Sequence, residues 1–161
     1  MLIRKATESD IAAADEIYRE AKKYMAVAGN PTQWKDDYPS GHDVALGIEN
    51  GTSYVCEEMG EVVATFHFSV GDDPTYKVIY DGEWQNSEPY AVIHRIAVKY
   101  HGRGIADFCY RECFRIHPNL RIDTHSDNLP MQRSLGKNGF VRCGVIRLEN
   151  GEDRVAYQKT K

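Results

Sequence analysis

The sequence has no long hydrophobic run. No apolar stretch approaches the roughly 18 residues that a helical membrane span requires, and the residues that follow the basic pair Arg4 and Lys5 are mostly polar up to Asp10. A secretory signal needs an apolar segment at that point. We therefore expect neither a membrane span nor an export signal, and a cytoplasmic location.

Basic residues are also fewer than acidic ones. The chain has 161 residues, with 20 Lys and Arg against 24 Asp and Glu, which gives a formal net charge of −4. Binding of nucleic acid through its phosphates depends on a basic surface, and attachment to an anionic membrane depends on a polybasic cluster. We expect neither nucleic acid nor a membrane among the partners of this protein.

Cysteine is sparse, and no pattern typical of a metal site is present. A structural zinc site needs two closely spaced ligand pairs, and the chain has a single close pair of cysteines. Asp123, His125 and Asp127 alternate as metal ligands can, but helix capping and local hydrogen bonds explain them better, so we expect no metal. The cysteines are expected to be free thiols of a reducing compartment: Cys56, Cys109, Cys113 and Cys143.

Helix and strand patterns alternate irregularly along the chain. Its length fits one domain at about 100–200 residues per domain, and no linker divides it. Helical periodicity predicts helices near 7–28, 43–49, 105–116 and 128–137. Alternating apolar residues predict strands near 2–6, 54–57, 62–70, 92–98, 120–124, 140–148 and 154–158. Two hairpins exclude a purely parallel sheet, so we predict one mixed α/β domain over residues 1–161.

A glycine-containing turn, His101-Gly102-Arg103-Gly104-Ile105-Ala106, joins the strand at 92–98 to a helix. Its glycines allow the backbone to approach a ligand closely, and the start of the helix presents unpaired N–H groups and partial positive charge. Such a turn suits a phosphate or pyrophosphate, and Arg103 adds a charge. On glycine spacing alone, a tight turn without a ligand is equally compatible.

Two other phosphate-binding motifs fit the sequence poorly. A P-loop requires Ser or Thr after Gly-Lys, and Asn138 stands there. A dinucleotide fingerprint requires a third glycine where the chain has Asp107, although Asp123 lies about twenty residues further on, where a ribose-binding acid is expected. An NAD(P)-binding oxidoreductase therefore stays a weak alternative.

The stretch from Val92 to Phe140 resembles the acetyl-CoA-binding core of the GNAT-type N-acetyltransferases. The family's phosphate turn, Gln/Arg-x-x-Gly-x-Gly/Ala, corresponds to residues 101–106, with His101 in the first place. The family's Asn followed by a helix that ends in Gly-Phe corresponds to Asn128 through Gly139-Phe140. The order of helices and strands over the whole chain is similar as well.

The resemblance implies a fold and a reaction. The fold is a central, mostly antiparallel sheet, flanked by helices and splayed at its middle strands, which end near Val98 and Thr124. The reaction is direct transfer of an acetyl group from acetyl-CoA to a primary amine of a small molecule or a peptide. The cofactor-binding residues that it implies are Ile96, Ala97, Val98, His101, Gly102, Arg103, Gly104, Ile105, Ala106, Asn128 and Arg133.

Transfer to an amine needs a group that removes a proton from it, and His94 is the first candidate. It lies an even number of residues from Ile96 and Val98, so a regular strand would place the three on one face, and imidazole titrates near neutral pH. A packed histidine without a chemical role is equally compatible. Glu83 or Glu88, in an acidic segment at 72–88, is the second candidate, or both belong to a solvated loop.

Some features stay open at this level. The tyrosine with which many family members are thought to protonate the leaving thiolate is replaced by Leu135, which keeps a non-catalytic acyl-CoA-binding domain as an alternative. Three aromatic residues in irregular segments could line an acceptor pocket or belong to a satellite core: Trp34, Tyr38 and Trp84. The oligomeric state is open too, a homodimer included.

Overall fold

The computed structural model describes every residue of the chain, 1–161, and has mixed α/β architecture. Its helices are α1 (Ile11–Val27), α2 (Gly41–Asn50), α3 (Ile105–Ile116) and α4 (Leu129–Lys137). Its strands are β1 (Leu2–Lys5), β2 (Ser53–Glu58), β3 (Glu61–Val70), β4 (Ala91–Val98), β5 (Asn119–Thr124), β6 (Val141–Arg147) and β7 (Asp153–Thr160). Single 3-10 turns precede α1 and follow β3, at Glu8–Asp10 and Pro74–Tyr76.

The seven strands form one sheet in the order β1-β2-β3-β4-β5-β7-β6. Only β4 and β5 run parallel, and every other neighbouring pair is antiparallel. The two predicted hairpins are β2–β3 and β6–β7, and β7 lies between β5 and β6. The expectation of a mostly antiparallel sheet flanked by helices is confirmed.

The sheet opens between β4 and β5. These strands pair only at Ala91 with Leu120 and at Val92 with Arg121. A bulge contributes to the opening, because three residues of β3 (65–67) oppose four of β4 (94–97), and bulges bend the strand that carries the extra residue. Past Val92, the edge of β4 that faces β5 therefore has no partner strand.

Helices cover both faces of the sheet. The main core packs α3 and α4 against one face, and a smaller cluster packs α1 and α2 against the other. Helix α1 buries a stripe with helical spacing: Ala14, Ile17, Tyr18 and Ala21. Helix α2 begins two residues earlier than its periodicity predicts, because Ser40 accepts a hydrogen bond from the His42 N–H at 3.2 Å and caps it.

The segment 71–90 has little regular structure but is held firmly against β6. Tyr80 and Val145 exchange two backbone hydrogen bonds of 2.7 and 2.8 Å, and the Trp84 indole donates to the Tyr76 carbonyl at 2.9 Å. Gly82 lies so close to β6 that an added Cβ would meet the Cys143 carbonyl oxygen at 1.9 Å. This docking carries the beginning of the segment to the gap between β4 and β5.

Candidate active site

A cavity of about 420 Å³ lies where β4 and β5 separate. One wall is the outer half of β4, from Ile93 to Val98, and another is the start of α4. Helix α1 and the loop 31–40 between α1 and α2 complete it. The polar side chains that line it are Gln33, Asp73, Thr75, His94, Arg95, His101, Asp123, Asn128, Ser134 and Arg154, with the hydroxyl-bearing rings of Tyr24, Tyr38 and Tyr110.

His94 lies in this cavity between two carboxylates. Its Nε2 is 2.7 Å from Oδ2 of Asp73, and its Nδ1 is 3.8 Å from Oδ2 of Asp123. The same Asp123 oxygen accepts a hydrogen bond of 2.7 Å from the Tyr76 hydroxyl. The three partners come from the segment 71–90 and from β5, so the parted strands and the docked segment together build the cluster.

The partners decide which His94 nitrogen is free. Burial alone would raise the pKa of Asp73, but hydrogen bonds from His94 and Thr75 outweigh it and lower that pKa to about 2. An ionised carboxylate can only accept a hydrogen bond, so Nε2 carries the proton. Burial raises the pKa of Tyr76 well above its usual value, so Tyr76 donates to Asp123. In the neutral ring the lone pair is then on Nδ1, the nitrogen nearer Asp123.

A second histidine lies beside the first. The ring centroids of His67 and His94 are 5.5 Å apart, and His67 Nε2 is 3.0 Å from the Ser69 hydroxyl. Burial, followed by the neighbouring His94, lowers the pKa of His67 from 6.5 to about 4. His67 is therefore neutral at pH 7 and adds no positive charge beside His94.

The bulge overturns the expectation that His94 shares a face with Ile96 and Val98. His94 pairs with His67, and Ala97 pairs with Thr65. Because His67 and Thr65 are two residues apart in β3, they point to one face, and so do their partners. The inserted residue, Arg95, has a positive φ of 55°. It shifts by one residue the alternation of side chains between the two faces of the sheet. His94 thus faces the segment 71–90 rather than α3.

The turn at 101–106 has the geometry of an anion site. Gly102 and Gly104 have φ values of 74° and 72°, and a Cβ at either position would meet nothing within 4 Å. The N–H groups of residues 102 and 104–107 donate no hydrogen bond within the protein. His101 stacks on Tyr24 with 3.8 Å between centroids. The turn therefore offers several free donors in open space at the start of α3.

The other residues expected to bind the cofactor lie around this turn and the cavity. Ile96, Ala97, Val98, His101, Ala106 and Asn128 line the cavity. Arg103 stacks on the ring of Tyr100 at 4.4 Å. Ile105 is buried, and Arg133 is exposed on α4. Asn128 caps α4 by accepting from the Met131 N–H at 3.2 Å and donates to Gln33 at 3.0 Å.

Other sequence candidates occupy different places. Glu83 is exposed on the segment 71–90 and does not line the cavity. Trp34 and Tyr38 do line it, whereas Trp84 packs in a satellite core beside Tyr76. Leu135 is fully buried in the main core.

The sequence reasoning missed Asp73 and Tyr76 because they come from a segment without clear periodicity. One local signal was present. Asp73-Pro74-Thr75 starts a short helical turn, in which Asp73 accepts from the Thr75 N–H at 2.9 Å, and Asp before Pro is typical of such a start. That signal predicts a cap but does not predict contact with His94.

None of the helices combines the length and apolarity needed to cross a lipid bilayer. A model of the acetyltransferase (GNAT) family matches residues 13–140. A GNAT-family acetyltransferase from Streptococcus agalactiae is 33% identical, with a TM-score of 0.91 over 99% of this chain and 95% of that one. A search of curated proteins finds no match.

More distant solved structures share the fold. A GNAT-family acetyltransferase from Listeria monocytogenes is 19% identical, with a TM-score of 0.70 over 98% of this chain and 93% of that one. A ribosomal-protein-alanine N-acetyltransferase from Brucella melitensis is 20% identical, with a TM-score of 0.64 over the full length of both. The family model spans the parted strands, His94 and the glycine turn, and with these similarities it shows that the chain belongs to the acetyltransferase (GNAT) family.

Proposed function

We propose that residues 1–161 act as a single N-acetyltransferase domain that moves an acetyl group from acetyl-CoA to a primary amine. The observation that carries the proposal is the position of His94. His94 lines the cavity between the parted strands with its Nε2 hydrogen-bonded to Asp73, and the same strand leads into a turn whose N–H groups are free. A proton acceptor and an anion site are thus joined by one stretch of backbone.

The residues present fit coenzyme A. The free N–H groups of 102 and 104–107 suit its pyrophosphate, with Arg103 beside them. The unpaired edge of β4, at Ile96 to Val98, suits an extended amide-containing arm that adds as a strand would. When bound, acetyl-CoA supplies an acetyl group activated as a thioester. The backbone N–H groups of Ile96 to Val98 are suited to polarise its carbonyl.

His94 serves as the general base. The acceptor ammonium loses a proton to Nδ1, and the amine nitrogen then forms its bond to the acetyl carbon while the carbon–sulfur bond breaks. Asp73 holds the ring in the productive tautomer and stabilises the imidazolium that forms. The nitrogen loses its second proton as the amide forms, and this proton would pass to the thiolate through the hydroxyls of Tyr110 and Ser134, which line the cavity. We assign the base to His94 rather than to Glu83, because Glu83 lies outside the cavity.

The test is His94→Gln. We expect kcat to fall about 10²–10⁴-fold, the usual contribution of a positioned base, while the dissociation constant of CoA stays unchanged. The rate is followed by thiol release from acetyl-CoA with a panel of primary amines. Asp73→Asn should lower kcat less, because Asp73 acts through His94, and should shift the pH–rate profile. His42→Gln, an exposed histidine on α2, is the matched control.

Two outcomes would contradict the proposal. An unchanged rate and pH profile in His94→Gln would remove His94 from the role of base. Tight binding of CoA without thiol release for every amine tried would favour the non-catalytic acyl-CoA-binding alternative.

A further inference from the structure

Arg95 is a half-buried cation without a carboxylate partner. Its side chain lines the same cavity as its neighbour His94. It forms no salt bridge, and its buried Nε has no hydrogen-bond partner. Burial alone would lower the pKa of Arg95, but the hydroxyls of Tyr38 and Tyr18, and after them Asp43, raise it. Asp43 lies beyond salt-bridge distance and accepts from the Ser40 N–H at 2.9 Å. The guanidinium therefore stays charged and unneutralised.

Of the three other arginines that are not exposed, two have a carboxylate partner. Arg4 and Arg154 each have a carboxylate partner, at 2.7 and 3.3 Å. The third, Arg121, has an unpartnered Nε like that of Arg95, but it donates to a backbone carbonyl at 2.8 Å and stacks on two aromatic rings. A buried charge is unfavourable unless it is paired. Arg95 has neither a carboxylate partner nor stacked rings, and it lines the cavity between the parted strands, which points to an anionic ligand group.

The anion that Arg95 binds is not the pyrophosphate. Arg95 precedes the glycine turn by six residues of chain, which is up to about 20 Å along a strand. In the cavity it lies with Trp34 and Tyr38 of the loop 31–40. Because it directly follows His94, the anionic group must belong to the acceptor whose amine His94 deprotonates.

Negative charge lies next to His94. Asp73 and Asp123 are 2.7 and 3.8 Å from its two ring nitrogens. An ammonium group approaching His94 therefore meets two carboxylates, while a carboxylate on the same molecule meets Arg95. The cavity is complementary to a molecule that carries both charges.

The acceptor end is covered and small. Gln33 of the loop 31–40 accepts from Asn128 at 3.0 Å, and Lys35 pairs with Glu152 at 2.6 Å, which ties the loop to α4 and to the β6–β7 turn. The cavity of about 420 Å³ must also hold the arm of the cofactor, and pockets for one small molecule span about 300–1,000 Å³. Little room is left for an extended peptide.

We propose that the acceptor is a small amino acid-like molecule with a primary amine and a carboxylate, and that Arg95 binds the carboxylate. This inference rests on the proposed acetyl transfer. Under this inference, peptides and amines without a carboxylate are poorer acceptors.

The experiment compares matched pairs of acceptors, each an amino acid and its decarboxylated amine, by thiol release from acetyl-CoA. In the unmodified protein we expect kcat/KM to be about 10–100-fold higher for the amino acid, the effect of one charged hydrogen-bonded pair. Arg95→Gln should abolish this preference by raising KM for the acid, with the amine unaffected. Arg95→Lys, which keeps the charge but loses the two-pronged geometry, should retain part of it.

Matched controls separate the outcomes. Arg142→Gln removes an exposed arginine on β6 and should keep the preference. An unchanged CoA affinity in Arg95→Gln shows that this variant is folded. Equal rates for both members of every pair, or transfer only to peptides, would overturn the inference and leave the acetyltransferase intact. No transfer to any amine, with CoA still bound, would overturn the proposed function itself.

Discussion

At the scale of single residues, the chemistry of His94 depends on groups from distant parts of the chain. Asp73 lies 21 positions away in sequence, and Asp123 comes from the strand across the gap. Each lies beside a different ring nitrogen, so the surroundings orient the histidine. A histidine on a regular strand, with neither contact, would have no preferred tautomer.

His67 makes a prediction about stability against pH. Its pKa is about 4 in the folded protein and 6.5 ordinarily, so between these values the unfolded chain binds more protons and the free energy of unfolding falls as the pH is lowered. We expect a loss on the order of 1 kcal/mol from this group, measured by urea unfolding from pH 7 to 4.5. His67→Gln should flatten that part of the curve. The same slope in both proteins would disprove the assignment.

At the scale of elements, β4 positions His94, and the turn after it carries the free N–H groups. The bulge at Arg95 turns His94 towards the segment 71–90 and bends the strand away from β5. The Tyr18 hydroxyl donates to the Arg95 carbonyl at 2.8 Å, so α1 supports this positive-φ position, which is strained for a non-glycine residue. The free N–H groups of the turn come directly after this strand in the chain.

The turn predicts the outcome of Gly104→Glu. A carboxylate at this position would repel the pyrophosphate, so we expect CoA affinity to fall at least about 100-fold, as measured by calorimetry. Gly104→Ala is the matched control, because it shares the backbone strain of a side chain at a φ of 72° but adds no charge. It should fold with a small loss of stability and still bind CoA. Retention of affinity in Gly104→Glu would place the phosphate site elsewhere.

At the scale of the whole molecule, the site exists because one sheet opens and an irregular segment fills part of the opening. The segment 71–90 is anchored on β6, near the far edge of the sheet, yet it delivers Asp73 and Tyr76 to the middle. Contacts far from the cavity should therefore affect catalysis through the position of these two side chains.

Gly82→Ala tests this dependence. Its Cβ would overlap the Cys143 carbonyl, which cannot move away without distorting β6. We expect unfolding to become easier by about 1–3 kcal/mol, seen as a lower urea midpoint, and kcat to fall while CoA affinity is kept. Gly136→Ala, a helical position with open space, is the control and should be neutral or slightly stabilising. An unaltered kcat in Gly82→Ala would show that the anchor does not position Asp73.

The sequence by itself determined the hairpins, the helices and the glycine turn, because each depends on periodicity or on residues a few positions apart. It also pointed to His94 and to the opening of the sheet, through resemblance to a family. Only the tertiary structure decided which face His94 occupies, since a single inserted residue reverses strand alternation. It alone brought Asp73 to the imidazole and left Arg95 without a carboxylate partner, because such encounters depend on how distant segments pack.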